Sequence, residues 1–209
     1  MPDWKGDAHA VAALLAASNH SDVERAERDY YATPPAAVEA LIKREKFCKY
    51  IFEPAVGGGH IAEVFKSHGH KVQAMDIVDR GYPGTVVKDF FTTTKADLIC
   101  SPDIVTNPPY MYACEFAEHA LAISMDSVKI AMLVKIQFLE TKKRYDLFKI
   151  HPPKVVYVFV DHIACAKNGK FTDDGSAVCY CWVVWEKGSK TEPVIRWISD
   201  DDSKPKRLF

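Results

Sequence analysis

The chain has 209 residues, with 27 basic and 28 acidic side chains, a formal net charge of −1, and 48% hydrophobic residues. That length supports one domain with a full core, and the near-neutral balance means that any nucleic-acid surface is a local patch and not the character of the whole protein. The lack of a long apolar run argues for a soluble globule, with no membrane partner expected. Ala10 to Ala17 is too short, and lacks the charged lead, for a secretory leader. Six scattered cysteines without a C-x-x-C pair fit a reducing cytoplasm.

Residues 1–30 read as a peripheral helical segment. Val11, Leu14 and Leu15 make a small stripe, and Ser21 with Glu24 has capping-box spacing. The segment could pack on the domain or on a second copy, so a homodimer is possible. Residues 31–198 read as one domain, and 199–209 as a charged tail.

In Tyr30-Tyr31-Ala32-Thr33-Pro34-Pro35, Thr33 is placed to cap a helix that opens on proline and carries Val38, Leu41 and Ile42 on one face. The stretch 49–53 is a short strand. Its Glu53-Pro54-Ala55-Val56-Gly57-Gly58-Gly59-His60 exit lets the chain turn sharply into a helix over Ile61, Val64 and Phe65, where a ligand can approach the backbone. His68 and His70 around a glycine fit a helix-to-strand turn better than a metal site. Lys71 to Asp76 is a second strand, ending in an acid where a Rossmann-like sheet meets a ribose. The run G-G-G-H does not match G-x-G-x-x-G, which argues against a dinucleotide.

Val86-Val87 is a third strand end. Asp89-Phe90 follows it, an acid placed to meet an adenine amino group. Residues 92–102 read as a loop with a weak helical turn. Asp103 to Thr106 is a buried strand that runs into Asn107-Pro108-Pro109-Tyr110. The two prolines stiffen this turn, so that the Asn107 amide and the Pro108 carbonyl can aim at one point beside an aromatic ring. Such a set suits a planar group bearing an NH₂, though a polar-capped turn would look the same. A covering helix follows, with Tyr112, Phe116, His119 or Ala120, and Ile123 on one face.

Residues 129–134 form a buried strand and 138–149 a helix carrying Lys142-Lys143-Arg144. Residues 155–160 and 177–185 are two further apolar strands. The long polar connection from His162 to Ser176 makes them an antiparallel pair at the sheet's end. Cys179 and Cys181 share one face of the second strand, as buried thiols rather than metal ligands.

Taken together, Ala32-Thr33-Pro34-Pro35, Glu53 to Gly59, Asp76, Asp89-Phe90 and Asn107 to Tyr110 resemble, in order, the motifs of S-adenosylmethionine-dependent DNA adenine-N6 methyltransferases of the small phage and bacterial type. The later stretches 135–140 and 156–159 are similar more loosely. The resemblance implies an α/β, Rossmann-like class I fold, with a seven-stranded, mostly parallel sheet, a reversed last strand and helices on both faces. It also implies S-adenosylmethionine as cofactor, held by Thr33 and Pro34 at the carboxylate and by Glu53, Pro54, Ala55, Gly57 and Gly59 around the methionine part. Asp76 and Ile77 would lie at the ribose, Asp89 and Phe90 at the adenine, and Asn107 beside the methyl.

The catalytic set would be Asn107, Pro108, Pro109 and Tyr110, acting on a base flipped out of DNA. Many DNA adenine enzymes have Asp at the first of these positions. The Asn form is also similar to RNA and protein-glutamine methyltransferases, so RNA stays open as a partner. A catalytically idle binding domain is a further alternative, against which Gly57, Asp76 and Asn107 all stand intact. For nucleic-acid contact the chain offers Lys142, Lys143 and Arg144, or Lys167, Asn168 and Lys170 in the 162–176 loop. Either group could equally be a solvated surface.

Overall fold

The computed structural model describes residues 30–161, 163–167 and 178–199. The segment 1–29, Asn168 and Lys170, and the tail from 200 onward lie outside the described residues. A short β1 (Tyr31–Ala32) pairs antiparallel with β8 (Ala166–Lys167) in a separate ribbon. Eight further strands form one sheet: β2 (Tyr50–Glu53), β3 (Lys71–Asp76), β4 (Val86–Val87), β5 (Asp103–Thr106), β6 (Lys129–Lys135), β7 (Val155–Phe159), β9 (Tyr180–Glu186) and β10 (Val194–Ile198). Their order across the sheet is β10-β7-β9-β6-β5-β2-β3-β4. The helices are α1 (Pro35–Ile42), α2 (His60–Ser67), α3 (Ala113–Ile123) and α4 (Lys142–Ile150). Among the described residues no helix is long and apolar enough to cross a membrane.

Alternation along the central strands sorts the core into two layers. Ile104, Ile130, Met132, Val134, Val183 and Trp185 pack with α3 and α4, and Val105, Ala131, Leu133, Trp182 and Val184 pack with α1 and α2. Such near-continuous apolar runs are what a strand covered on both faces requires. The mostly parallel sheet with helices on both faces is therefore as expected, and so is its reversed strand, since β9 alone runs antiparallel to β6 and β7.

Two features differ from the expectation. The antiparallel pair does not end the sheet, because β9 is inserted between β6 and β7. Its run Tyr180 to Trp185 is buried throughout, so it needs a neighbour on each side. The eighth strand, β10, then closes that edge by pairing parallel with β7. Its first four residues are exposed, so it lacks the apolar signal that marks the others.

Smaller differences are local. The helix expected at 138–149 begins only at Lys142, because Ile136–Leu139 is a 3₁₀ turn and Thr141 sits at φ 95°. Cys181 is buried but Cys179 is exposed, lying just ahead of β9. The expected turn around Gly69 is present, with His68 bonded to Glu39 and His70 Nδ1 to the Cys48 carbonyl. The weak helical turn falls at Lys95–Asp97. Asp103 stitches the strand starts together, its carboxylate accepting from the Cys48 and Lys129 amides at 2.6 and 2.8 Å.

Candidate active site

The strands β2, β3 and β5 all end at one large cavity of about 870 Å³. This is where a doubly wound sheet opens a crevice, between strands whose connections leave to opposite faces. Of the residues singled out in the sequence, Thr33, Glu53, Pro54, Ala55, Asp76, Ile77, Asp89, Phe90, Asn107 and Pro109 line it. Residues separated by more than 70 positions are thus brought together.

Asn107 is held in a definite orientation. Its Nδ2 donates to the Tyr31 carbonyl at 2.8 Å and to Thr33 Oγ1 at 3.1 Å. A carbonyl can only accept, so the nitrogen must face Tyr31 and the assignment of the two amide atoms is fixed by chemistry. Asn107 Oδ1 is left buried without a partner. Pro108 is buried and, unlike Asn107 and Pro109, does not line the cavity.

Glu53 is the second unusual group. It is 1% exposed and its Oε2 has no partner. Burial pushes its carboxyl well above the usual range, against the Ala62 amide, which stabilises the anion, and with a smaller push from the Asp76 charge. Asp76, at the end of β3, is fixed by accepting from the Gly57 amide at 2.8 Å and the Val78 amide at 3.0 Å. Asp89 caps the turn Phe90–Thr92 by accepting from the Phe91 amide. Burial also lowers the His60 imidazole from its usual value.

The glycine turn is arranged differently from the expectation. Gly57 and Gly59 do not line the cavity. A Cβ on Gly57 would lie 2.3 Å from the Tyr30 ring, and one on Gly59 2.1 Å from Tyr82, with φ at 55° and 84°. Both positions need glycine because the chain's own aromatic rings sit against them. Tyr30 also takes the Gly58 amide on its hydroxyl at 3.0 Å and lies beneath the Arg80 guanidinium, 4.3 Å from the ring centre.

Three other expected positions are shifted. Thr33 does not cap α1, since Pro34 is the capping residue and no side-chain bond is made there, and Pro34 does not line the cavity. Thr33 turns to Asn107 instead. Nor does Tyr110 line the cavity. Its ring is stacked on Tyr31 at 5.3 Å and lies under the Lys135 ammonium at 4.8 Å. Its phenol is buried beside Tyr180 and Cys165, which holds it well above its usual value. The exposed rings at the cavity are Phe91 and Tyr112. Tyr30, Tyr31, Arg80 and Phe116 also line it and are not expected there from the sequence, because rings beside a turn or on a helix face are ordinary core candidates and a lone arginine is an ordinary surface residue.

The basic helix is partly committed to the fold. Lys143 pairs with Glu115 at 2.6 Å, and Arg144 donates to the Gln137 and Glu140 carbonyls while covering the Phe138 ring. Lys142 has no such partner among the described residues. At Lys167 only the backbone pairing with Tyr31 is described, and it ties the start of the long loop to the strand that holds Asn107.

No protein-family model and no curated protein matches the chain. Solved structures do. A candidate class I S-adenosylmethionine-dependent methyltransferase of Listeria monocytogenes superposes with a TM-score of 0.58 at 15% identity, covering 92% of this chain and 72% of that one. This chain has the class I methyltransferase fold. The same fold is found in the methyltransferase subunit of a type I restriction-modification system from Streptococcus thermophilus, with TM-score 0.58, 12% identity, and 91% of this chain matched to 50% of that one. A modification subunit of a candidate type I restriction enzyme from Vibrio vulnificus gives 0.57 and 11%, over 94% and 51%. The chain thus spans about half the length of these two subunits.

Proposed function

We propose that this chain transfers a methyl group from S-adenosylmethionine to the N6 amine of adenine in DNA, with the base turned out of the helix into the cavity. The observation that carries this reading is the Asn107 amide, whose nitrogen is fully engaged and whose buried oxygen is an unfilled acceptor. An exocyclic amine is a weak nucleophile because its lone pair is delocalised into the ring. Asn107 Oδ1 and the Pro108 carbonyl, accepting its two hydrogens, would hold the nitrogen with its lone pair turned out of the ring plane. Catalysis would then rest on positioning and fixed dipoles, for which up to about 7–11 kcal/mol of the barrier is available.

The residues present fit the cofactor. Glu53 offers a buried, unfilled oxygen suited to an ammonium group, and Asp76 a carboxylate held rigid by two amides and suited to a pair of hydroxyls. Asp89 and Phe90 offer an acid and an apolar face for a purine. Bound there, S-adenosylmethionine would supply an electrophilic methyl on a sulfonium, the S–CH₃ bond breaking to leave the neutral thioether S-adenosylhomocysteine while the methylated amine releases one proton to solvent. The restriction-modification proteins that share the fold favour DNA as the acceptor. The decisive experiment is calorimetry with S-adenosylmethionine, followed by mass detection of N6-methyladenine in DNA from cells making the protein. Absence of cofactor binding by the folded wild type removes the reading, and binding without N6-methyladenine removes DNA adenine as the acceptor.

A further inference from the structure

Resting on that function for the site, we infer that Thr33 is a positioning residue that locks the Asn107 amide with its oxygen left for the target amine, and so acts on the transfer rate. Thr33 is 2% exposed, and its hydroxyl takes one of the two Nδ2 hydrogens while the Tyr31 carbonyl takes the other. One bond alone would leave the amide free to rock about its last side-chain torsion, whose preferences are broad. Two acceptors on the same NH₂ fix the plane. They also oppose a flip, which would set Oδ1 against the Tyr31 carbonyl and turn the NH₂ toward an incoming amine. The acceptor geometry demanded of the site therefore comes from outside the Asn-Pro-Pro-Tyr turn, 74 residues earlier in the chain.

This differs from a cofactor contact, and the difference can be measured. Thr33→Val keeps the shape and removes the acceptor, whereas Thr33→Ser keeps the acceptor. Each is compared with wild type by calorimetric binding of S-adenosylmethionine and by single-turnover transfer to a DNA duplex, with NMR of the Asn107 side-chain NH₂ in protein labelled at asparagine. The expected result is a transfer rate lowered on the order of 10–100-fold in Thr33→Val, cofactor dissociation within about twofold, and recovery of most of the rate in Thr33→Ser. In the same Thr33→Val protein one NH₂ hydrogen should lose its protection from exchange. Cofactor binding by Thr33→Val also certifies its fold. A raised dissociation constant with an unchanged rate would make Thr33 a cofactor contact and overturn the inference. An unchanged NH₂ signal would do the same, whatever the activity. A wild type that binds cofactor but methylates no acceptor overturns the function of the site, and this role with it.

Discussion

On one side of the sheet, β2, β3 and β5 are short parallel strands, and each ends at or just before a polar side chain that lines the cavity: Glu53, Asp76 and Asn107. On the other side, β6, β9, β7 and β10 are mostly longer, are interleaved by an antiparallel insertion, and bury two tryptophans. Trp182 Nε1 donates to the Ala37 carbonyl of α1, and Trp185 Nε1 to the His151 carbonyl beyond α4, both at 2.9 Å. Among the described residues, the first region holds buried oxygens without a partner, on Glu53 and Asn107, and the strands of the second hold none. A site must keep unfilled acceptors for its ligand, and the cost of burying them falls on the packed half of the domain.

The comparison is broken most sharply at Trp182. Trp182→Ala should lower stability by about 3–5 kcal/mol through the cavity it leaves, as read by urea unfolding, while the fraction still folded binds cofactor normally. Loss of cofactor affinity without loss of stability would put Trp182 in the site and not the scaffold. The converse substitution is Asn107→Ala. Its transfer rate should fall on the order of 10²–10³-fold with the melting temperature and cofactor affinity nearly unchanged. Near wild-type transfer would reduce the turn to a structural cap.

Asp76→Asn should weaken cofactor binding by about 1.5–3 kcal/mol and leave the Gly57 amide with an oxygen to bond. Calorimetry at constant pH checks this, and an unchanged affinity would take the ribose away from Asp76. The smallest effect concerns Glu53, whose folded value lies above that of the unfolded chain. The folded state therefore holds the extra proton. Glu53's contribution to stability is fully present below the ordinary glutamate range and is lost as pH rises through the raised folded value. Glu53→Gln should abolish that slope in unfolding measured across pH. A slope that persists in the variant would assign it to another group.

Much of the site half is legible in the sequence, because its signals are local. Glycine turns, paired prolines and acids at strand ends each act on their own few residues of backbone. Even there, no local pattern signals that the glycines make room for Tyr30 and Tyr82, or that Tyr110 lies under Tyr31 and Lys135. Those are packing facts between distant segments. The scaffold half is legible as strands but not as an order of strands. An apolar run marks burial on both faces without saying which neighbours supply it, and the exposed β10 barely marks itself at all.

What the sequence by itself determined is the strands β2 to β7 and β9, and the α/β class with its reversed strand, since strand period is a property of adjacent residues. Only the tertiary structure decided that β9 enters the sheet between β6 and β7, that β10 closes the edge, and that Thr33 and Tyr31 hold the Asn107 amide. Each of these is a pairing across tens of residues. It depends on where the whole chain puts its surfaces, and hydrogen-bond partners that far apart leave no mark on either local sequence.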